Sequence, residues 1–292
     1  MTQDPRRPVV VGVDASDAAL RATGFAADEA RRRQAPLLIV HAISWPFDSL
    51  TIPPTDLDTA GQVRAGAARV TQWAADAVAG DDLEIQTSVE EGDPVAVLRA
   101  ASADAQLVVL GSRGIGGVTG LLVGSTANGL VAQAHCPVIV LPDEAAALVP
   151  DPRSVVVGVE TGRRDDGVLE FAFTEAADRG TDLVAVHAWQ DAVLETAYRS
   201  MGPLVDWAGV AADEQLALSE TLAGWRDKAP DVDVREVVVR DRPARALLSA
   251  GMAAQPIVVG HRRRLALGSA THAVLHRATC PVAVVPLTGV PR

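Results

Sequence analysis

The chain has 292 residues, 48% of them hydrophobic and 22% charged, enough apolar sequence for two domains of ordinary size, which excludes an intrinsically disordered chain. A formal net charge of -11 excludes a surface built as a whole to grip a nucleic-acid backbone, because such surfaces are basic. Aromatic residues are only 3%, so the cores must be made of closely packed small aliphatic side chains. The opening stretch MTQDPRRPVVVGVD has no apolar signal core, and no apolar run is long enough to span a bilayer. A soluble, cytoplasmic protein with neither membrane nor nucleic acid as partner is expected.

In chain order, Val9–Asp14 predicts a first strand and Asp17–Arg33 a helix. Leu37–Ile43 predicts a second strand, and Thr55–Val78 a second helix after the proline-bearing surface connection SWPFDSLTIPPTDL. Further strands follow at Glu84–Val89, Leu107–Gly111 and Val138–Leu141, separated by helices at Pro94–Ala103 and Ser125–Ala134. Strands that read as near-continuous Val, Ile and Leu belong to parallel sheets covered on both faces.

The same order then recurs. VVVGVDAS (Val9–Ser16) returns as VVVGVETG (Val155–Gly162), and LLIVHAISW (Leu37–Trp45) as LVAVHAWQ (Leu183–Gln190). QLVVLGSRG (Gln106–Gly114) returns as QPIVVGHRR (Gln255–Arg263), and HCPVIVLP (His135–Pro142) as TCPVAVVP (Thr279–Pro286). A looser match links Glu90–Ala101 with Val239–Ala250. A constant offset of about 146 residues identifies two copies of one domain, residues 1–145 and 152–288, joined through the polar, proline-bearing Pro142–Ser154. Each copy is expected to be a doubly wound, Rossmann-like α/β domain with a five-stranded, mainly parallel sheet flanked by helices.

Ligands of open α/β sheets bind where strand order reverses, beyond the carboxyl ends of the strands. Asp14 closes the first strand and a glycine-rich loop begins at Gly111, closing the fourth. If these strands are neighbours, carboxylate and loop face one crevice. Glycines allow backbone N–H groups to approach an anion closely, and Gly124, Ser125 and Thr126 open a helix whose amides and dipole attract negative charge. A carboxylate repels phosphate but accepts hydrogen bonds from a base or ribose, so a mononucleotide with its two ends apart fits this arrangement. Blander readings stand beside each residue. The loop could be a tight connection, Ser125 a helix cap, Asp14 a cap for the helix near Asp17, and His41 a satisfied core histidine. The loop is neither a Walker A motif nor the dinucleotide fingerprint, which belongs after the first strand.

The spacing Gly111-x2-Gly114-x9-Gly124-Ser125, with VVVGVDAS, VHA after the second strand, GDP before the third helix and CPVIVLP, resembles the signature of the universal stress protein family. Both halves carry the resemblance, so the chain is similar to tandem members of the ATP-binding subclass, with an adenine-nucleotide alpha-hydrolase-like form of the fold. Position by position, the resemblance implies that Asp14, with backbone at Gly12 and Val13, contacts adenine, and that Ala42 packs on the base. Leu110 and Gly111 would line the floor, Gly114 would lie along ribose and phosphate, and Gly124, Ser125 and Thr126 would hold the phosphates. Arg113 lies within the loop but outside the signature, and either pairs with phosphate or is solvated. The implied cofactor is ATP, with Mg2+ able to accompany it through the phosphates. Pairing through the last strand is also implied, joining Val138–Leu141 to Val282–Val285 as an intrachain pseudo-dimer and leaving a homodimer open.

The second copy departs from this pattern. Glu160 replaces the aspartate, the second loop glycine is missing, and Gly260 to Gly268 is eight positions where Gly111 to Gly124 is thirteen. Gly268 and Ser269 remain. Either one of Arg262, Arg263 and Arg264 folds into the pocket and pairs with Glu160, or Glu160, Gly260, Gly268 and Ser269 mark a second site for a nucleotide or another anion.

Cys136 and Cys280 each precede a proline and an apolar run, with no metal-ligand spacing, and read as reduced, buried small hydrophobes. His272 and His276 have no ligand-spaced partners elsewhere, so no protein-held metal is expected. No nucleophile, base and orienting group assemble. The expected protein is a nucleotide-binding regulatory or protective stress protein with hydrolysis absent or slow. An ATP-dependent enzyme and a non-binding scaffold are the rivals.

Overall fold

The valine run forms β1 (Val9–Gly12), the middle strand of a parallel sheet, with β2 (Leu37–Ile43) on one side and β4 (Leu107–Gly111) on the other. β3 (Ile85–Glu91) pairs with β2 and β5 (Val138–Leu141) with β4, giving the order β3-β2-β1-β4-β5. Val9 lies opposite both Leu37 and Leu107. The computed structural model describes residues 7–45, 57–115, 123–143, 154–162, 166–189, 206–262 and 267–287. Two units divide the chain, Met1–Asp143 and Glu144–Arg292.

Side chains alternate along a strand, and Val9, Val10 and Val11 have no exposed surface, so both faces of the sheet must be covered. α1 (Asp17–Arg32) packs on β1 and β4 beside α2 (Leu57–Asp76), while α3 (Pro94–Ala101) packs beside α4 (Ser125–Gln133). Ala22, Ala26 and Ala30 of α1 are fully buried. Small side chains bring that helix close to the strands, as the scarcity of aromatics requires. Fully burying one Val, Leu or Ile is worth about 1.5–3 kcal/mol, so the strand residues dominate the stability of the sheet.

The second unit repeats the plan. β6 (Val155–Gly158) is central, and with β7 (Leu183–Ala188), β8 (Val234–Val239), β9 (Ile257–Arg262) and β10 (Val282–Leu287) it gives the parallel order β10-β9-β6-β7-β8. Its helices are α5 (Asp166–Arg179), α6 (Trp207–Lys228), α7 (Pro243–Ala250) and α8 (Ser269–Arg277). Both units bury one glutamate under arginine. Glu29 is 1% exposed between Arg32 (2.5 Å) and Arg33 (3.3 Å), and Glu175, also 1% exposed, meets Arg179 at 3.0 Å. An unpaired carboxylate at that depth would cost several kcal/mol, so the arginines are required wherever the acid is.

The expected strands and helices are present, with shifted ends. β1 stops at Gly12 rather than Asp14, because the Asp14 side chain turns to the start of α1. β3 lies later than expected; its residues are half-buried or exposed, so hydrophobicity marks its ends poorly. α3 ends at Ala101, where the hydroxyl of Ser102 donates to the Arg99 carbonyl at 2.6 Å. β9 runs on through Arg262, whereas β4 gives way at Gly111 to the loop. No described helix is long and apolar enough to cross a membrane.

Cys136 and Cys280 are buried and form no disulfide, and burial pushes the Cys136 thiol up to about 12. Thiolate is the reactive form, so Cys136 is not poised to react, and burial keeps Cys280 from reagents in solution. Native protein should show no rapidly titrating thiol with Ellman's reagent, and two after unfolding in guanidinium. A fast thiol in the native state would contradict this packing.

Candidate functional site

From β1 the chain proceeds to β2 on one side and returns to β4 on the other, so the strand order reverses between β1 and β4. A crevice must open there, since the connections leave in opposite directions. The first unit holds a cleft of about 370 Å³ at this point, within the range of small-molecule pockets. All eleven residues selected from the sequence line it. Gly12, Val13 and Asp14 come from the end of β1 and Ala42 from β2. Leu110, Gly111, Arg113 and Gly114 come from the end of β4, and Gly124, Ser125 and Thr126 from the start of α4. Gly116, Gly117 and Gly120 of the loop lie outside the described residues.

Asp14 ties the two strand ends together. Its Oδ2 accepts from the Ile115 amide at 2.8 Å, and its Oδ1 accepts from the Ser16 amide at 3.1 Å and the Ser16 hydroxyl at 2.5 Å. Ser16, not Asp14, caps α1 by accepting from the Ala19 amide at 3.1 Å. The approach of loop to carboxylate leaves no room at Gly114, where a Cβ would collide with Asp14 Oδ2. At Gly111 a Cβ would lie 3.0 Å from the Ala18 carbonyl oxygen, so the strand end is pressed against α1.

α4 starts at Ser125, and its cap is Gly124 rather than Ser125. No side chain caps this end, and the Gly124 amide donates to the Ser112 carbonyl at 2.6 Å. First-turn amides and the positive end of the helix dipole are thus presented at the cleft. Arg113 is part-exposed, and its guanidinium pairs with Asp143, which also receives Arg21 at 3.3 Å. Arg113 and Asp143 are 38% and 22% exposed, so this pair is worth at most about 1 kcal/mol and a stronger anion can displace it.

Several residues escaped the sequence reading. Ser112 is 3% exposed, lines the cleft, and its hydroxyl has no hydrogen-bond partner among the described residues. Its place directly after the strand-ending Gly111 was the available signal. Pro94 and Leu98 of α3 form an apolar wall, implied only by the GDP motif before that helix. His41 is half-buried rather than a core residue, and its Nδ1 donates to the Val13 carbonyl at 2.8 Å, bracing the end of β1.

A cleft of about 530 Å³ occupies the same place in the second unit. Glu160, Gly260 and Gly268 line it, whereas Ser269 opens α8 without being part of its lining. Ala270 stands where the first unit has Thr126, so one hydroxyl is missing. Arg262 does pair with Glu160, at 3.1 Å, but the two are 40% and 58% exposed and leave the cleft open. The expected pairing therefore forms at the mouth instead of filling the pocket. Arg263 and Arg264 lie outside the described residues. His187, the counterpart of His41, faces the Val159 carbonyl at 3.0 Å through Nδ1 and the Glu214 carboxylate at 2.8 Å through Nε2.

Comparison with known proteins gives one consistent result. The profile of the universal stress protein family matches residues 5–142 and again residues 152–286. Universal stress protein Rv2005c of Mycobacterium tuberculosis is 38% identical over 294 residues, covering 94% of this chain and 96% of that protein. A second from the same organism, Rv2623, is 35% identical over 289 residues, covering 94% and 95%. The crystal structure of a universal stress protein from Archaeoglobus fulgidus shares the fold at a TM-score of 0.71 and 19% identity, covering 96% of this chain and 98% of that one.

The Asp14 tether is directly testable. In Asp14→Ala the Ile115 amide loses its acceptor, so hydrogen exchange of the peptide spanning Gly111–Ile115 should speed by about tenfold, the equivalent of one hydrogen bond of 1–1.5 kcal/mol. Unchanged exchange would mean that the carboxylate does not hold the loop.

Proposed function

The chain belongs to the universal stress protein family, and we propose that it binds ATP in the cleft of its first unit and acts as a regulatory or protective stress protein. One observation carries this reading: a carboxylate, a glycine-bounded loop and an uncapped helix N-terminus converge on a single cleft at the strand-order reversal. The two ends differ in charge. Asp14 repels phosphate but can accept from an adenine amino group or a ribose hydroxyl through the remaining lone pair of Oδ2. Ala42, Val40, Pro94 and Leu98 offer an apolar wall to the flat base. At the opposite end the amides of α4, the hydroxyls of Ser125, Thr126 and Ser112, and Arg113 released from Asp143 would hold the phosphates.

Mg2+ would ride on the phosphates, since the described residues contain no cluster of three or more His, Cys, Asp or Glu able to hold an ion. Binding with turnover absent or slow is the reading adopted for this cleft, whose described hydroxyls, Ser112, Ser125 and Thr126, are read as phosphate ligands. Two buried cysteines that form no disulfide suit a reducing, cytoplasmic setting.

The second unit is read as lacking a comparable site. Its loop is five residues shorter, the Thr126 hydroxyl is replaced by Ala270, and Arg262 engages the carboxylate that would meet the base. Titration of nucleotide-free protein with ATP should give about one nucleotide per chain. Gly114→Val, which forces the loop off Asp14, should weaken binding at least about tenfold, or 1.4 kcal/mol. Two sites of similar affinity, or none, would refute the reading, and sustained ATP turnover lost in Asp14→Ala would favour an enzyme.

A further inference from the structure

Helix α8 presents two imidazoles that the nucleotide reading does not use. His272 and His276 are one turn apart on the same helix face, with ring centroids 4.2 Å apart and planes inclined by 28°. His272 is exposed and His276 is half-buried. The Nε2 atom of His276 is shielded from solvent and has no hydrogen-bond partner among the described residues. Leaving such a nitrogen unsatisfied costs about 1–3 kcal/mol, so a partner for it is favourable. The first unit supplies an internal contrast. Helix α4 has Asn128 and Ala132 at the positions of His272 and His276, so the shared fold does not require either imidazole.

We propose that His272 and His276 form a two-imidazole chelate for a borderline divalent transition-metal ion of the Ni2+, Cu2+ or Zn2+ class. Metal–imidazole bonds of about 2.0–2.1 Å require the two ligating nitrogens to lie about 3 Å apart. Side chains four residues apart on a helix reach that separation, and the stacked rings are already at the scale of one coordination sphere. An incoming ion replaces the stack, accepts a lone pair from one nitrogen of each ring and gives the His276 ring the partner it lacks. The described residues bring no third His, Cys, Asp or Glu to form a cluster there, so water completes the coordination and the ion stays exchangeable. Neutral imidazoles select this metal class. Ni2+ and Cu2+ should exceed Mn2+ in affinity, and Mg2+ and Ca2+, which take oxygen ligands, should not bind at this pair.

The test uses tag-free, nucleotide-free full-length protein titrated calorimetrically with NiCl2, ZnCl2 and MgCl2. The expected result is one Ni2+ or Zn2+ per chain and no Mg2+ binding. His272→Asn and His276→Ala, which install the first unit's residues, should each weaken Ni2+ binding at least tenfold while leaving the circular dichroism of the metal-free protein unchanged. Because a variant can fail to fold, the wild-type protein provides a second readout. Paramagnetic Ni2+ should broaden the ring proton resonances of two of the six histidines and spare the other four. No Ni2+ binding up to millimolar concentration, full binding in the doubly substituted protein, or broadening of a different pair would overturn the assignment.

Discussion

The hydrogen bond from the Ile115 amide to Asp14 Oδ2, 2.8 Å long, is the contact on which the first cleft depends. It exists because β1 and β4 are neighbours while their chain connections diverge, which places the end of one strand beside the loop leaving the other. Everything else at the site is arranged around that contact. Gly114 must lack a side chain for the loop to come so close, Ser16 orients the same carboxylate from the far side, and the loop then delivers the chain to α4. The resulting crevice has a negative wall at one end and a helix N-terminus at the other, a polarity suited to a ligand that is itself polarised.

Two copies of the fold in one chain separate what the fold needs from what the cleft needs. Val9–Val11 and Val155–Val157 are equally buried at the centres of their sheets, and a buried glutamate under arginine recurs in both first helices. By contrast, the loop after β4 has lost five residues after β9, and the strand there runs on to carry Arg262 to Glu160. Both sheets form and both clefts remain open. The glycines between Gly111 and Gly124 are therefore not demanded by the strands they connect. An exposed pair such as Arg262–Glu160 contributes little stability, so its effect in the second unit lies in which groups it occupies at the mouth of the cleft.

Much of this was legible in the sequence, for identifiable reasons. Strands β2, β4 and β5 fall where the apolar runs place them, because buried parallel strands cannot tolerate interruption. β3 was displaced in the reading because its half-exposed sequence, IQTSVEE, alternates only weakly. The eleven selected residues share one cleft because strand ends and a helix start are local features with local signals. Contacts between distant segments were not legible. Asp143 lay in what reads as the linker, yet it engages both Arg21 and Arg113 across the top of the sheet. Ser112 looked like an ordinary loop residue until packing buried its hydroxyl, and Glu214 could be joined to His187 only once α6 was docked on its strand. Such pairings are set by register and helix placement, which no short window of sequence encodes.

The central claim is that a nucleotide occupies the first cleft and not the second. Photolabelling with 2-azido-ATP, followed by peptide mapping, tests it most directly because the label reports where the base lies. The account predicts label in peptides containing Gly12–Asp14 or Val40–Ala42, competed away by ATP. Label confined to peptides around Gly158–Glu160 or Val186–Ala188, or uncompeted label spread over both units, would contradict it.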